Sequence, residues 1–290
     1  MKDLKSNVTL VGRVFLNRYF LFVINGFLLA AALLFYMHDA YEHSIVGALS
    51  SNVKRQYSKY NSEDSLLIGG LRLTHYLEER RVTVFGAEEI SDGYSGILQP
   101  LTNDLMTAKG ACGSYALVLG SILKDIGFKI RFAQMKVDET WGGHIIIEAK
   151  TKKGWVALDP SFNLAFVKKD GTLAGFQDIH SDWNYFQNQL PVNYKREYAY
   201  SDVRYTNWEK IPIILPGVRF VLEHTIGKVA TNEVSIRVLF LRKYRILYYI
   251  MLSLYLYSWY RIVRRYNKKR KAVSKSIASQ PGKPMVYRRA

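Results

Sequence analysis

Apolar residues follow three different periodicities along the chain, and each predicts a different kind of element. Tyr19 to Met37 carries no charge, and Asn25 is its one strongly polar member. Nineteen residues of this kind reach across a bilayer core as a helix. From Tyr115 the apolar positions Tyr115, Leu119, Ile122 and Ile126 recur at steps of four, three and four, widened by Ala116 and Leu123. That pattern predicts a largely buried helix ending at Gly127. Beyond it Phe128, Ile130 and Phe132 alternate with Lys129 and Arg131, the period of a strand. Two further strands are predicted at His144–Ala149 and Trp155–Asp159, joined by a turn at Thr151-Lys152-Lys153-Gly154. Upstream, Asn61 and Ser62 precede Glu63, Asp64 and an apolar-periodic run to Arg81, which predicts a capped helix.

The chemistry-bearing residues sit at chosen points on these elements. Cys112, the single cysteine of 290 residues, falls in the first turn of the buried helix. Unpaired backbone N–H groups and the positive end of the helix dipole favour a thiolate there, and the thiolate is the attacking form. A hairpin centred at 151.5 pairs positions whose numbers sum to 303, which sets His144 opposite Asp159. Their Cβ atoms would lie about 5 Å apart, and a one-residue slip would send them to opposite faces. In such a pair the carboxylate holds one imidazole nitrogen and leaves the other for the sulfur, the arrangement acyl transfer requires. Cys112, His144 and Asp159 are therefore the candidate catalytic residues. For the oxyanion, the Cys112 backbone N–H is the default donor, with Gln99, Asn103 or Tyr94 as a second.

Gly-Ala-Cys112-Gly-Ser-Tyr-Ala, the strand-opening His144 and Gly-Trp-Val-Ala-Leu-Asp159-Pro together resemble the core of the transglutaminase-like superfamily of papain-like cysteine enzymes. The likeness covers roughly residues 105–165, more loosely the helices before it. It implies an α+β fold in which a Cys-bearing helix packs on an antiparallel sheet carrying the His and Asp. It also implies a hydrolase or acyltransferase, either a peptidase, an amidase or a transglutaminase-type cross-linker. Microbial members often carry an aromatic residue two positions after the histidine; Ile146 stands there in this chain. Glu148 reads as a solvated strand residue, Trp155 as a core or hairpin residue and His75 as a helix residue rather than a ligand.

The flanks place this chemistry. Lys2, Lys5, Arg13 and Arg18 precede the first apolar run, so residues 1–18 should remain cytoplasmic and residues 19–37 should serve as an uncleaved anchor. Ile246 to Tyr260 is a second uncharged run between arginines, and residues 246–263 read as a second transmembrane helix or an in-plane interfacial one. A crossing would return the tail, residues 264–290, to the cytoplasm as a basic disordered segment. Residues 38–241 would then form the domain outside the cytoplasm, its core about 62–165, with the chain integral to a bacterial plasma membrane.

Charge agrees with that layout. Residues 19–241 hold 23 basic and 23 acidic side chains, so the whole net charge of +17 comes from the flanks. Basic flanks suit anionic headgroups, whereas nucleic-acid binding needs a basic face on the folded domain. The expected partners are a peptide or protein substrate outside the cytoplasm and membrane lipids, with no nucleic acid. No cofactor and no metal are expected, since scattered histidines with one cysteine do not make a zinc site. Eight aromatic residues between Trp183 and Trp208 are expected to cover one side of the sheet or line a groove, and Val218–Ile226 to form a short helix at the membrane surface. The alternative function is a non-catalytic binding module of a cell-envelope assembly that keeps the same fold.

Overall fold

The computed structural model describes residues 18–60, 62–84, 99–107, 112–195 and 197–278. The chain divides into two compact units, Ala40–Lys243 and the two flanks together. The larger unit begins and ends two residues later than the domain expected at 38–241.

Helix α1 (Arg18–Tyr57) is followed by α2 (Glu63–Val84), α3 (Leu101–Thr107) and α4 (Cys112–Ile126). α2 starts where the Asn-Ser-Glu-Asp signal places it, with Glu63 and Asp64 in its first turn facing the positive end of the dipole. α4 buries its apolar stripe: Ala116, Leu119, Ile122 and Leu123 are all fully buried. It stops at Gly127, whose positive φ of 120° lets the Phe128 N–H turn back to the Leu123 carbonyl at 3.0 Å. Val118 and Ile122 join Val46, Val53 and Leu101 in one buried cluster, so residues of α1 and α3 support the helix that carries the cysteine.

Five antiparallel strands follow: β1 (Lys129–Val137), β2 (Thr140–Thr151), β3 (Gly154–Asp159), β4 (Leu164–Ala165) and β5 (Val203–Arg204), in spatial order β4-β3-β2-β1-β5. With the helices they make an α+β fold. Ile130, Phe132, Ile145, Ile147, Ala149, Val156 and Leu158 face α4 in one core. The opposite face presents Ala133, Met135, Ile146 and Ala157, sealed by a segment that carries the short helices α5 (Phe176–Ser181) and α6 (Trp183–Phe186) and contributes Phe166, Phe176, Ile179, Phe186, Tyr194, Tyr198 and Tyr200. The sheet is thus buried on both sides, and the aromatic segment covers its second face as one of the two expected roles.

Two expectations about the sheet need correction. The β2–β3 register sets Ile147 opposite Leu158 and Thr151 opposite Gly154, so the hairpin loop is Lys152-Lys153 and lies one residue beyond the expected centre. His144 and Asp159 are therefore diagonal rather than directly opposed. The offset is two residues, and because side chains alternate with period two they still share a face. Glu148, expected in solvent, is buried at 1% exposure, because the aromatic layer roofs the face on which it points.

In the flanking unit, α1 residues 18–39 run beside the start of α10 (Lys243–Ala278). Asn25 Nδ2 donates to Ser258 Oγ at 3.0 Å, Phe22 meets Trp259 edge-on, and Arg245 Nε donates to Asp39 at 2.9 Å. Among the described residues one helical stretch, Tyr19–Tyr60, is long and apolar enough to cross a membrane, not two as expected. The physical reason lies in the second run: fifteen uncharged residues rise only about 22 Å as a helix, short of a core of about 30 Å. Residues 264–278, assigned to a disordered tail, continue α10, since lysine and arginine are good helix formers and no glycine or proline interrupts them. Residues 279–290 lie outside the described residues.

Three short helices close the chain between β5 and α10: α7 (Ile214–Ile226), α8 (Lys228–Asn232) and α9 (Arg237–Phe240). α7 begins four residues before the helix expected at 218–226. The segment holding α7 and α8 is closed at its base by Thr206, whose hydroxyl donates to the Val234 carbonyl and accepts from the Ile236 N–H.

Candidate active site

Cys112 is the first residue of α4 and is half-buried. The turn beneath it is pinned by Ser114, whose hydroxyl donates to Asp104 Oδ1 at 2.7 Å, while Gln99 Nε2 donates to the same oxygen at 2.9 Å. Burial raises the Asp104 pKa above the usual carboxylate value, against the lowering by Ser114 and the Lys243 charge. Gln99 thus spends one amide hydrogen on positioning α4. Asn103 lies half-buried within α3, and Tyr94 lies outside the described residues, as do Gly110 and Ala111. The backbone N–H of Cys112, at the start of the helix, remains the candidate oxyanion donor.

His144 enters on β2 after two glycines. Gly142 has φ +81°, and a Cβ on Gly143 would lie 2.7 Å from Val137 Cβ. Both lie beside the break in β1–β2 register between Met135 and Lys136, so the glycines let the strand rejoin its partner just where the histidine must point inward. Gly143→Ala is expected to cost about 1–3 kcal/mol by forcing β1 and β2 apart there. A lowered urea midpoint with unchanged slope would check it.

Around the imidazole every contact is fixed. Nε2 lies 2.6 Å from Asp159 Oδ2, and both side chains are essentially excluded from solvent. The Tyr198 ring stacks on the imidazole at 4.2 Å and 8° tilt, and Phe162 meets it edge-on at 6.0 Å. Asp159 is held in turn by the Ser161 N–H at 3.1 Å on Oδ1 and by the Tyr194 hydroxyl at 3.4 Å on Oδ2. Burial, together with Tyr200 and Asp159, pushes the Tyr194 hydroxyl far above its ordinary range, so it stays a proton donor. Among the described residues no nitrogen or oxygen hydrogen-bonds the buried Nδ1, which leaves it as the nitrogen that serves the thiol.

The two titrating groups pull each other in opposite directions. For His144, burial disfavours the charged ring, but the Asp159 charge and hydrogen bond, with Cys112 added, outweigh it and carry the pKa from 6.5 to about 9. For Cys112, burial raises the thiol, but the hydrogen bond and charge of His144 and the Ile145 N–H bring it below its ordinary 9.0. Both shifts run toward thiolate beside imidazolium, a nucleophile paired with a proton donor.

The structure therefore brings Cys112, His144 and Asp159 to one place. Sequence reasoning missed the residues that hold them there: Phe162, Tyr194 and Tyr198, the Ser161 N–H and the Ile145 N–H. The aromatics were visible as a dense segment, but no periodicity marked which of them would reach the imidazole. His75 also comes close to this region, its Nδ1 lying 3.0 Å from the carbonyl of Pro160, next to Asp159.

Residues 73–160 match the family model of the transglutaminase-like superfamily. No curated protein matches the chain, and no solved structure does. The matched stretch takes in most of α2, α3, α4 and strands β1 to β3, and it suggests a family of the cysteine hydrolase or acyltransferase type.

Proposed function

We propose that this chain is a membrane-anchored cysteine hydrolase or acyltransferase that works outside the cytoplasm on a peptide, amide or ester bond. The Cys112 sulfur attacks the carbonyl carbon, the new oxyanion meets the Cys112 N–H, and the His144 imidazolium gives its proton to the leaving amine or alcohol. The product of this half-reaction is a thioester on Cys112. Water or an amine then attacks that thioester, surrenders its proton to His144, and the thiolate departs. Asp159 keeps the imidazole oriented and stabilises its charge in both halves. The observation that supports this reading most is the 2.6 Å contact between the carboxylate and Nε2, buried beneath two aromatic rings, with the sulfur's neighbour nitrogen left open. The helix Tyr19–Tyr60 is the proposed anchor, and the peptide or protein substrate would come from the periplasmic or outer side.

Intact-mass spectrometry of the full chain in detergent after incubation with cell-envelope extract tests the proposal. An acyl adduct on Cys112 that is missing from Cys112→Ala supports it. A thiol that gains no adduct and alkylates like free cysteine with or without His144 overturns it.

The pH dependence follows from the two shifts. Activity should follow a bell, its acid limb below the ordinary thiol value and its alkaline limb near 9, where the imidazolium loses its proton. Stability carries a matching sign. The folded pKa of His144 lies above its unfolded value of 6.5, so the imidazolium's contribution is whole below about 6.5 and is lost as pH rises through about 9. A kcat/KM profile checks the first and thermal melts across that interval the second.

A further inference from the structure

One row of the sheet leads away from the nucleophile. Ile145, whose N–H lowers the thiol, pairs with Gln134 on β1, and Gln134 pairs with Arg204 on β5. The three share the face on which α4 lies, so the row leads from Cys112 outward in two strand spacings, roughly 10 Å. Gln134 is buried at 4% exposure, and its Oε1 accepts from Arg204 Nε at 3.4 Å. Trp141 lies against the other side of that guanidinium at 5.0 Å. Arg204 is thus held in place by an amide and a ring, and Glu209, the acid whose charge supports it, is exposed and forms no ion pair with it among the described residues.

Arg237 completes the row. It opens α9, and the segment leading to it is fixed beside β1 by Ser235 Oγ, which accepts from the Phe132 N–H at 3.0 Å. The next residue, Val238, accepts from Lys124 Nζ at 3.1 Å and packs against the core that Cys112 borders. Arg237 is half-buried, with burial disfavouring its charge, yet no hydrogen bond or ion pair reaches it among the described residues. Cys112 favours its charge and Arg204 opposes it, so both lie within electrostatic reach of the guanidinium. Beyond the Cys112 sulfur, which supports it only as thiolate, no counter-charge reaches the half-buried guanidinium among the described residues, and such a group is costly until one is supplied. Arginine in particular matches carboxylate geometry through its fixed fork of donors.

We propose that Arg204 and Arg237 form an anion subsite beside Cys112 that selects acyl donors bearing a carboxylate near the scissile bond, such as an acidic side chain or a free C-terminus. This deepens the proposed function and rests on Cys112 being the nucleophile. A carboxylate there would gain two guanidinium partners and relieve the charge on both. It would also orient the donor, with Trp141 as a flat apolar wall at the outer edge.

The test compares two alkylating agents on the full chain in detergent, where Cys112 is the single thiol and intact mass reports it directly. Iodoacetate carries the carboxylate and iodoacetamide is its neutral counterpart. The ratio of their rates at neutral pH, divided by the same ratio for free cysteine, should exceed unity by about tenfold, equivalent to about 1.4 kcal/mol of selective attraction. It should shrink as salt is raised. Arg204→Gln with Arg237→Gln should bring the ratio to the free-cysteine value, and the paired lysine variants should restore most of it. A wild-type ratio equal to that of free cysteine, or one that the glutamine pair leaves unchanged, overturns the proposal. Should the glutamine pair melt early, the wild-type ratio and its salt dependence still decide. Failure of the underlying nucleophile reads differently, because iodoacetamide alone would then react at the free-cysteine rate and ignore His144.

Discussion

His144→Ala is expected to lower kcat/KM by about 10²- to 10⁴-fold and to slow iodoacetamide modification of Cys112 at neutral pH. Cys112 is half-buried, and burial alone drives a thiol upward; the hydrogen bond and charge of His144 are the larger part of what brings it down. With the ring gone, the Ile145 N–H, the helix terminus and the more distant Arg237 charge are what still favour the thiolate. A thiol returned to about 9 is roughly 1% ionised at neutral pH. The leaving group would also lose its proton donor, so turnover should suffer more than alkylation. Asp159→Asn should be milder on alkylation than His144→Ala, since the ring stays stacked on Tyr198, but it deprives Nε2 of its charged partner. Rates of alkylation by intact mass for the two variants, beside the wild type, check the order. Equal rates in all three would show that the imidazole does nothing for the sulfur.

Much of this site was legible before the structure because its signals are local. Cys112 sits at the start of a helix that the spacing of Tyr115, Leu119 and Ile122 announces, and Gly127 ends that helix for a reason visible in one residue. His144 and Asp159 open and close two strands with a recognisable turn between them. The exact register was less legible. Thr151-Lys152-Lys153-Gly154 offers several loop placements, and the choice is made by Thr151, which pairs with Gly154 while its hydroxyl donates to the Gly154 carbonyl and accepts from the Lys153 N–H. A shift by two preserved the shared face, so an inexact register still gave the right neighbours. Long-range coverage was not legible. Nothing in the alternation of β2 reveals that residues 162–200, rich in turns and poor in regular elements, fold back as a second layer. For that reason Glu148 read as solvated, and for the same reason Tyr194 and Tyr198 could not be assigned to the imidazole.

Glu148→Ala should then be among the most destabilising single changes in the domain, at about 3–5 kcal/mol, because it strands a buried cation. The carboxylate accepts from Arg131 Nε at 2.9 Å, from the Tyr205 hydroxyl at 2.6 Å and from the Phe176 N–H at 3.1 Å. Arg131 is itself only 8% exposed and lies between the Trp155 and Tyr205 rings, 4.0 and 3.9 Å from their centroids. Its other ion pair, to Glu233 at 3.4 Å, involves a partner more than half exposed, which compensates far less. Against a total stability of about 5–15 kcal/mol the loss is large, and a urea titration would show it as a lower midpoint at constant slope. Glu148→Gln should fall between, since one amide oxygen can serve the Phe176 N–H or Arg131 but carries no charge. Arg131→Leu with Glu148→Leu should recover part of the loss, because apolar groups of similar size remove both unsatisfied partners at once. If the double variant lost as much as the two single changes summed, the pair would be uncoupled and the argument wrong. Through Phe176 the same carboxylate ties down the layer that stacks on His144, so under native conditions the surviving folded fraction of Glu148→Ala should also alkylate more slowly. A loss of stability with undiminished thiol reactivity would show that the aromatic roof holds its place without this anchor.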